Sequence, residues 1–226
     1  MVKTTEKVCR VPRSKEEARA AYNRLSKIYD TMIHPFEKTQ KQAGLDCLDA
    51  KPGEQILEIG FGTGNNLMEI ARAVGEKGAV AGIDISDEML RIARRKLEAK
   101  GLSNNARLMR GDATRLPYED NAFDAIFMSF VLDLFDNPDI PLVLKECKRV
   151  LKKNGRIVNV SLQKADTLSN RLYENLHNAF PSLIDCRPIR AGRSLEDAGF
   201  TVLEEKDLSM WGLKVRCVLA VVLLPG

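Results

Sequence analysis

The sequence has few of the residues that build metal sites and disulfide frameworks. Its 226 residues include five cysteines and two histidines. Neighbouring cysteines lie at least 31 residues apart, so no pair has the spacing of a zinc knuckle or a CxxC redox site. An odd number of scattered thiols is typical of a reduced, intracellular protein. We therefore predict no metal site and a cytoplasmic location.

Long apolar runs are also missing. The most apolar stretch, Val215–Leu224, is interrupted by Arg216 and Cys217 and spans about half of the roughly 20 residues that a membrane helix needs. It indicates a buried strand. Residues 1–14 contain no apolar run of the kind found in secretion signals.

Charge and aromatic content argue against a nucleic-acid partner. The formal net charge is +4, but residues 1–30 hold eight basic and four acidic residues, which leaves 27 of each sign in the rest of the chain. Aromatic residues make up only 6% of the sequence, so an extended basic surface with stacking aromatics is not expected. The basic N-terminal segment is typical of a solvated terminus or of contact with an anionic surface, such as a membrane.

From Gln55 onward, short β-forming runs alternate with longer segments of helical spacing, such as the one that follows Ser86, a predicted helix cap. This alternation predicts an α/β fold: a Rossmann-like, doubly wound sheet whose parallel strands are covered on both faces. Two final runs flank Trp211, and their short connection predicts an antiparallel last strand. The seven predicted strands lie in QILEIG, AVAGIDIS, ARLMRGD, FDAIFMSFV, GRIVNVS, FTVLEEKDL and VRCVLAVVLL.

Two segments outside this pattern are predicted to surround a site. Residues 1–50 are interpreted as a helical lid with two helices separated by His34-Pro35, and residues 51–226 as the main domain. Apolar residues from Ala18 to Met32 are predicted to share one helical stripe. Residues 163–193 are predicted to be an insertion with a helix over Leu168–Phe180.

A glycine-rich turn after the first strand carries the chemistry. Between Ile59 and the helix that begins near Asn65, every second residue is a glycine: Gly60, Gly62 and Gly64. Glycine permits positive φ and lets a ligand approach bare backbone, while the helix start offers unpaired N–H groups. The dinucleotide pattern needs glycine at position 65, and the Walker pattern needs Gly-Lys-Ser/Thr; neither is present.

Two carboxylates follow the next strands. Asp84 ends the second strand, where it can accept hydrogen bonds from both hydroxyls of a ribose, and Asp112 follows the third, where it can accept from an adenine amino group. Ligand crevices in open parallel sheets lie at the carboxyl ends of strands. Each acid alone also fits a helix cap or turn, but the three features together predict one adenosine-containing ligand.

These residues resemble the class I S-adenosylmethionine-dependent methyltransferases. The resemblance is carried by Tyr29-Asp30, Glu58-x-Gly60-x-Gly62-x-Gly64, Gly82-x-Asp84-x-Ser86-x-x-Met89-Leu90 and Gly111-Asp112-Ala113. It is greatest to the ubiquinone/menaquinone C-methyltransferases and the bacterial phospholipid N-methyltransferases. It implies S-adenosylmethionine as cofactor, S-adenosylhomocysteine as product, and these cofactor-binding residues: Tyr29, Glu58, Gly60, Phe61, Gly62, Gly64, Asp84, Ile85, Met89, Gly111, Asp112, Ala113, Ser129 and Phe130.

The sequence is less specific about the residues that contact the methyl acceptor. Asp133, His177 and Tyr29 are the candidate catalytic residues, and Tyr22, His34, Tyr173 and Trp211 are further candidates for its lining. The quinone enzymes carry acceptor-site residues after the tyrosine pair, and this chain departs from them over Thr31–Phe36. We expect a small-molecule methyl acceptor. Alternatives are a phospholipid N-methyltransferase at a membrane surface and a non-catalytic, S-adenosylmethionine-binding regulatory protein.

Overall fold

The computed structural model describes residues 9–11, 13–179 and 186–223, which form a seven-stranded sheet. The predicted β-forming runs each become one strand. The strands are β1 (Gln55–Ile59), β2 (Ala79–Asp84), β3 (Ala106–Arg110), β4 (Phe123–Ser129), β5 (Leu151–Leu162), β6 (Thr201–Met210) and β7 (Leu213–Val221).

Helices precede and connect these strands, with ends that follow local sequence signals. The Ser86 hydroxyl accepts from the backbone N–H of Met89 at 3.1 Å, so the predicted cap is confirmed. Gly101, with φ +67°, follows the end of the same helix. The helices are α1 (Lys15–Leu25), α2 (His34–Leu48), α3 (Asn65–Val74), α4 (Asp87–Ala99), α5 (Ile140–Val150), α6 (Leu168–Ala179) and α7 (Ala191–Asp197).

The strand order across the sheet is β3-β2-β1-β4-β5-β7-β6. Neighbours from β3 to β5 are parallel, while β7 runs antiparallel to both β5 and β6. A two-residue turn joins β6 to β7, with φ 52° at Trp211 and 77° at Gly212, a geometry that suits the twist of a hairpin. The predicted fold class is confirmed, and the reversal of strand order at β1 marks the crevice between β1 and β4.

Side chains on the central strands alternate between two hydrophobic cores. Ile56 and Phe127 pack with α2, α3 and α4 on one face, whereas Leu57 and Ile126 pack with α5 and α7 on the other. Both faces are therefore covered, as the nearly continuous apolar strands predict. The adjacent carboxyl ends of β1, β2 and β4 are held in register by this packing.

The helices before the sheet break earlier than predicted. α1 ends at Leu25, a π-helical turn covers Tyr29–Ile33, and α2 begins at His34. Pro35 lies in the first turn of α2, where no intrahelical partner for an N–H is required, so it begins a helix instead of separating two. The prediction of a single apolar stripe from Ala18 to Met32 is also wrong, because the side chain of Met32 is 59% exposed.

The boundary between α5 and β5 also differs from expectation. The helical spacing of the run PLVLKECKRVLKK, residues 141–153, favours a helix that stops at Asn154-Gly155. In the structure α5 ends at Val150 and β5 begins at Leu151. Leu151 fits the apolar spacing of a helix, but its backbone pairs with Phe123 of β4 and it is the first residue of β5. Two other predictions reach beyond the described residues, at Phe180 and at Leu224. Within the described ranges, no helix has the length and apolar character needed to cross a bilayer.

Candidate active site

A cleft lies at the carboxyl ends of β1, β2 and β4, with an empty volume, including its open mouth, of about 990 Å³. This volume lies within the range of small-molecule sites. The structure brings together at the cleft most residues predicted to bind the cofactor: Tyr29, Gly60, Gly62, Asp84, Ile85, Met89, Gly111, Asp112, Ala113, Ser129 and Phe130.

The glycine turn shows why two of these positions lack a side chain. Gly60 has φ +69°, and a Cβ built on it would lie 2.3 Å from Val131 Cγ2. Gly62 has φ +54° with no atom within 4 Å of an added Cβ, so its backbone is bare towards the cleft. A ligand can approach Gly62 closely, whereas Gly60 is required by packing.

Asp84 closes the opposite side of the same turn. One carboxylate oxygen accepts from the N–H of Gly62 at 2.8 Å and the other from the N–H of Ser86 at 2.8 Å. Each oxygen has a second lone pair, so the carboxylate can still accept from two hydroxyls. Burial raises the pKa of Asp84 to about 6, against the effect of these backbone hydrogen bonds, so the group is ionised at neutral pH.

Asp112 occupies the third strand end, but it already has several partners. Thr114 donates to it through both its N–H and its hydroxyl, and Lys15 Nζ forms an ion pair with it. Burial raises the pKa of Asp112, and the hydrogen bonds from Lys15 and Thr114 outweigh that effect, so the net shift is downward. The two acceptor carboxylates, Asp84 and Asp112, and the bare glycine backbone fit an adenosine ligand.

Three residues predicted to bind cofactor lie outside the cleft lining. Glu58 is buried beneath the glycine turn, and its Oε1 accepts from Asn66 Nδ2 at 3.3 Å. Phe61 packs in the core on the α3 side, and a Cβ on Gly64 would lie 2.8 Å from Ala93 Cβ. All three residues make these contacts beneath the glycine turn, on the side away from the cleft. Their predicted contact with the cofactor stays a prediction.

Side chains of the N-terminal segment, which is predicted to be a lid, line the cleft, but the sequence did not predict the individual contacts that they make. Lys15 faces the adenosine side, and Arg19 forms an ion pair with Asp87. Arg10 likewise pairs with Asp136. Arg13 and Lys15 therefore place positive charge at the cleft, as does Arg10 through Asp136, while Lys3 and Lys7 lie outside the described residues. The lining residues from this segment are Val11, Arg13, Ser14, Lys15, Ala18 and Tyr22.

Tyr29 lines the cleft, but its hydroxyl points to a polar cluster on α2. It donates to Glu37 at 3.0 Å and accepts from Lys41 Nζ at 3.2 Å, and Lys41 pairs with Glu37 at 2.7 Å. Burial, followed by the charge of Glu37, raises the pKa of Tyr29 well above its usual value. The phenol therefore keeps its proton at neutral pH.

Asp133 lies in the turn that follows β4, behind the cleft wall. Its side chain is fully buried, Oδ2 accepts from the N–H of Leu162 at 3.2 Å, and Oδ1 has no hydrogen-bond partner. The turn residues Val131 and Leu134 line the cleft, but Asp133 does not. Burial raises the pKa of Asp133 to about 7. Arg187, also fully buried, donates to the carbonyl of Phe135 in the same turn.

The remaining acceptor-side candidates are dispersed. His177 is 1% exposed, with Nε2 3.4 Å from the carbonyl of Arg10, and it does not line the cleft. Tyr173 donates to the carbonyl of Cys186 at 3.0 Å. His34 begins α2, and Trp211 is 70% exposed at the β6–β7 turn. Of the four further candidates, Tyr22, His34, Tyr173 and Trp211, only Tyr22 lines the cleft.

We expect the free energy of unfolding to fall as the pH rises from about 5 to about 8. Burial raises the pKa of Asp84 to about 6, of Asp133 to about 7 and of Glu58 to about 8. Unfolded carboxyls titrate near pH 4, so the folded chain binds more protons across this window and loses stability as protons leave. His34, whose pKa is lowered by burial, opposes this trend. Chemical denaturation at a series of pH values measures the slope.

The matched variant is Glu58→Gln, which keeps the shape of the side chain but cannot ionise. We expect it to reduce the slope across the whole window, because Glu58 holds a proton in the folded chain but not in the unfolded chain from about pH 5 to about pH 8. Little slope should remain above about pH 7. Stability that rises across the window, or a slope unchanged by the substitution, contradicts the assignment of these buried carboxyls.

Comparison with known proteins identifies the domain. Residues 56–155 match the methyltransferase domain family. The chain is 35% identical over 163 residues to the ubiquinone/menaquinone biosynthesis C-methyltransferase UbiE of Vibrio cholerae, covering 72% of this chain and 61% of that protein. It is 37% identical over 150 residues to the demethylmenaquinone methyltransferase of Bacillus cereus, covering 64% and 62%. The chain thus spans less than two thirds of the length of these relatives.

Solved structures agree on the fold. A SAM-dependent methyltransferase from Aquifex aeolicus matches with a TM-score of 0.64 and 24% identity, covering 89% of this chain and 98% of that one. A methyltransferase solved with the Haloferax volcanii activator Trm112 matches with a TM-score of 0.71 and 18% identity, covering 94% and 99%. Residues 56–155 therefore carry a methyltransferase domain, and the chain has the fold seen in solved S-adenosylmethionine-dependent methyltransferases.

Proposed function

We propose that this chain transfers the methyl group of S-adenosylmethionine to a ring carbon of a small quinol or phenol. The observation that carries the proposal is the two-part character of one cleft. Its β1–β3 side holds bare glycine backbone and two carboxylates. Its β4 side presents the apolar side chains of Val131, Leu134 and Phe135, followed by Asp136, which pairs with Arg10, and Asp139. The names of the relatives from Vibrio cholerae and Bacillus cereus support the quinone class of acceptor.

The cofactor side is proposed from the residues already described. Asp84 would accept from the ribose hydroxyls, Asp112 and Ala113 would contact the adenine edge, and Gly62 would admit the methionine part. The cofactor supplies a methyl group already activated on a sulfonium. The protein must therefore orient the acceptor and exclude water, which accounts for an apolar wall in place of a catalytic triad.

Ser129 is proposed to orient the acceptor. It ends β4, lines the cleft and is 6% exposed, and its hydroxyl has no hydrogen-bond partner. A buried hydroxyl without a partner is costly, and the cost is recovered when a polar group of a ligand arrives. A ring hydroxyl of a quinol provides such a group beside the apolar surface of Val131.

A ring carbon becomes nucleophilic when a neighbouring hydroxyl gives up its proton. The carbon then takes the methyl group as the methyl–sulfur bond breaks, and loss of its own hydrogen as a proton restores the aromatic ring and the hydroxyl. Tyr29 cannot accept that proton, because its own phenol stays protonated. Asp133 is proposed as the acceptor of the proton: its Oδ1 has no partner and its pKa lies near 7, where a general base is effective. It lies one residue from Leu134 of the cleft wall, so the transfer requires a bridging water or a movement of this turn.

The test is methyl transfer from labelled S-adenosylmethionine to a panel of acceptors, with products identified by mass spectrometry. The panel contains a short-chain prenylated naphthohydroquinone, catechol and phosphatidylethanolamine. We expect carbon methylation of the hydroquinone. We also expect Asp133→Asn to lower kcat at least about tenfold with unchanged cofactor affinity. Transfer to phosphatidylethanolamine alone supports the phospholipid alternative, and cofactor binding without any transfer supports the regulatory one; both contradict the proposal.

A further inference from the structure

Seven large apolar side chains are exposed on neighbouring elements outside the cleft. Ile28, Met32 and Phe36 recur at intervals of four along the π-helical turn and the start of α2. Leu168, at 84% exposure, begins a second stripe of the same spacing on α6. We call this set the apolar surface: Ile28, Met32, Phe36, Leu168, Leu172, Leu176 and Trp211.

The hairpin turn between β6 and β7 joins the two stripes. The rings of Trp211 and Phe36 meet edge to face with centroids 4.7 Å apart. On the other side, the hydroxyl of Ser169 on α6 donates to the carbonyl of Gly212 at 2.8 Å. The two helices and the turn are therefore in direct contact, and their apolar residues form one patch instead of scattered single exposures.

Cations border this surface. Lys27 precedes the first residue of the first stripe, and Lys214 follows the hairpin turn; both are exposed, as is Lys38 on another face of α2. Most acidic residues near the surface form ion pairs: Asp30 with Lys96, Glu37 with Lys41, Asp166 with Arg171 and Glu174 with Lys164. Asp46, near the end of α2, accepts from Gln42 instead. An apolar patch with a net cationic border is complementary to apolar material under a layer of anionic headgroups.

We propose that the apolar surface docks the protein onto an anionic lipid bilayer. Trp211 has the residue type enriched at membrane–water interfaces, where its ring is apolar and its N–H stays near water. A symmetric pair of chains explains the surface less well, because it would bring the two sets of bordering lysines together.

The position of the apolar surface suggests how the acceptor reaches the cleft. This part of the inference rests on the proposed quinol methylation. Ile28 immediately precedes Tyr29, which lines the cleft, and Leu172 precedes Tyr173, which packs against the core on the α2 side of the sheet. A docked protein therefore holds one edge of its cleft near the bilayer. An acceptor with a prenyl tail is a membrane-soluble molecule, and it reaches the cleft without crossing water.

Co-sedimentation with vesicles tests the docking independently of turnover. Vesicles of phosphatidylcholine, with and without phosphatidylglycerol, are mixed with wild-type protein and with the triple variant Met32→Ser, Leu172→Ser, Trp211→Ser. The matched control carries Leu142→Ser, Leu203→Ser and Leu223→Ser, at three exposed apolar positions on other parts of the protein. We expect salt-sensitive binding to the anionic vesicles, reduced at least about tenfold in the first variant and little changed in the control.

Calorimetric titration with S-adenosylhomocysteine shows that each variant is folded, since none of the substituted residues lines the cleft. Three results overturn the docking proposal: no binding of wild-type protein to anionic vesicles, an equal loss in the control, or a wild-type dimer that the first variant converts to a monomer. Methylation of the short-chain hydroquinone without vesicle binding defeats the docking alone. Vesicle binding without methylation of any quinol defeats the proposed function alone.

Discussion

Replacing Asp84 with alanine is expected to weaken binding of S-adenosylmethionine at least about 100-fold. The carboxylate lies at the end of β2, lines the cleft and has a spare lone pair on each oxygen beyond its bonds to Gly62 and Ser86. Two charge-assisted hydrogen bonds to ribose hydroxyls contribute about 1.5 kcal/mol each at the low end, and about 1.4 kcal/mol corresponds to tenfold in affinity. Isothermal calorimetry at neutral pH, where Asp84 is ionised, measures the effect.

Asp87→Ala is the matched control for this prediction. Asp87 lies three residues further on, is an acid of the same size and forms ion pairs with Arg19 and Arg110, but it does not line the cleft. Its loss is expected to change affinity by less than about fivefold, the range of an exposed ion pair. Equal affinities for the Asp84 and Asp87 variants contradict the assignment of Asp84 to the ribose.

Gly60→Ala is expected to lower the free energy of unfolding by about 3 kcal/mol or more. The added Cβ would lie 2.3 Å from Val131 Cγ2 and 2.8 Å from Cγ1, in the wall of the cleft. Overpacking of this kind costs about 1–3 kcal/mol, and the φ of +69° adds about 1–2 kcal/mol for a residue with a side chain. Urea unfolding followed by circular dichroism gives the difference.

The control for Gly60 separates the close contact from the backbone conformation. Gly53 has φ +89°, but no atom lies within 4 Å of an added Cβ. Gly53→Ala is therefore expected to cost only the conformational part, about 1–2 kcal/mol. If both variants lose the same stability, Val131 does not restrict position 60 and the packing argument is wrong.

The sequence was sufficient for the sheet and for one side of the cleft because those features are encoded locally. β1, β2 and β4 are short, mostly apolar runs bounded by glycine or polar residues, and β3 is a short mixed run at the edge of the sheet. Parallel strands bring their ends to one edge of the sheet whatever the loops do. That geometry places Gly60, Asp84 and Asp112 together without knowledge of any long-range contact. The π-helical turn was missed because Tyr29–Ile33 has no sequence signal that distinguishes it from an α-helix.

The other side of the cleft depends on contacts between distant segments. The capping box of Ser14 and Glu17 marks the start of α1 in the sequence, but nothing local shows that Lys15 reaches Asp112, 97 residues away. Asp133 was expected near the acceptor because it follows β4. The left-handed backbone of Phe130, with φ 54°, and the turn after it instead place the Asp133 carboxylate against Leu162. The direction of the chain after Phe130 is determined by packing, and the apolar pattern of β4 does not predict it.

The most direct test of the central claim is calorimetric titration of the wild-type, cofactor-stripped chain with S-adenosylhomocysteine. The cleft between β1 and β4 predicts one site per chain, with binding that weakens as the pH falls below about 6 and the Asp84 carboxylate gains its proton. Folded protein that gives no binding heat, and no rise in melting temperature with the ligand, would contradict the assignment of this cleft to the cofactor.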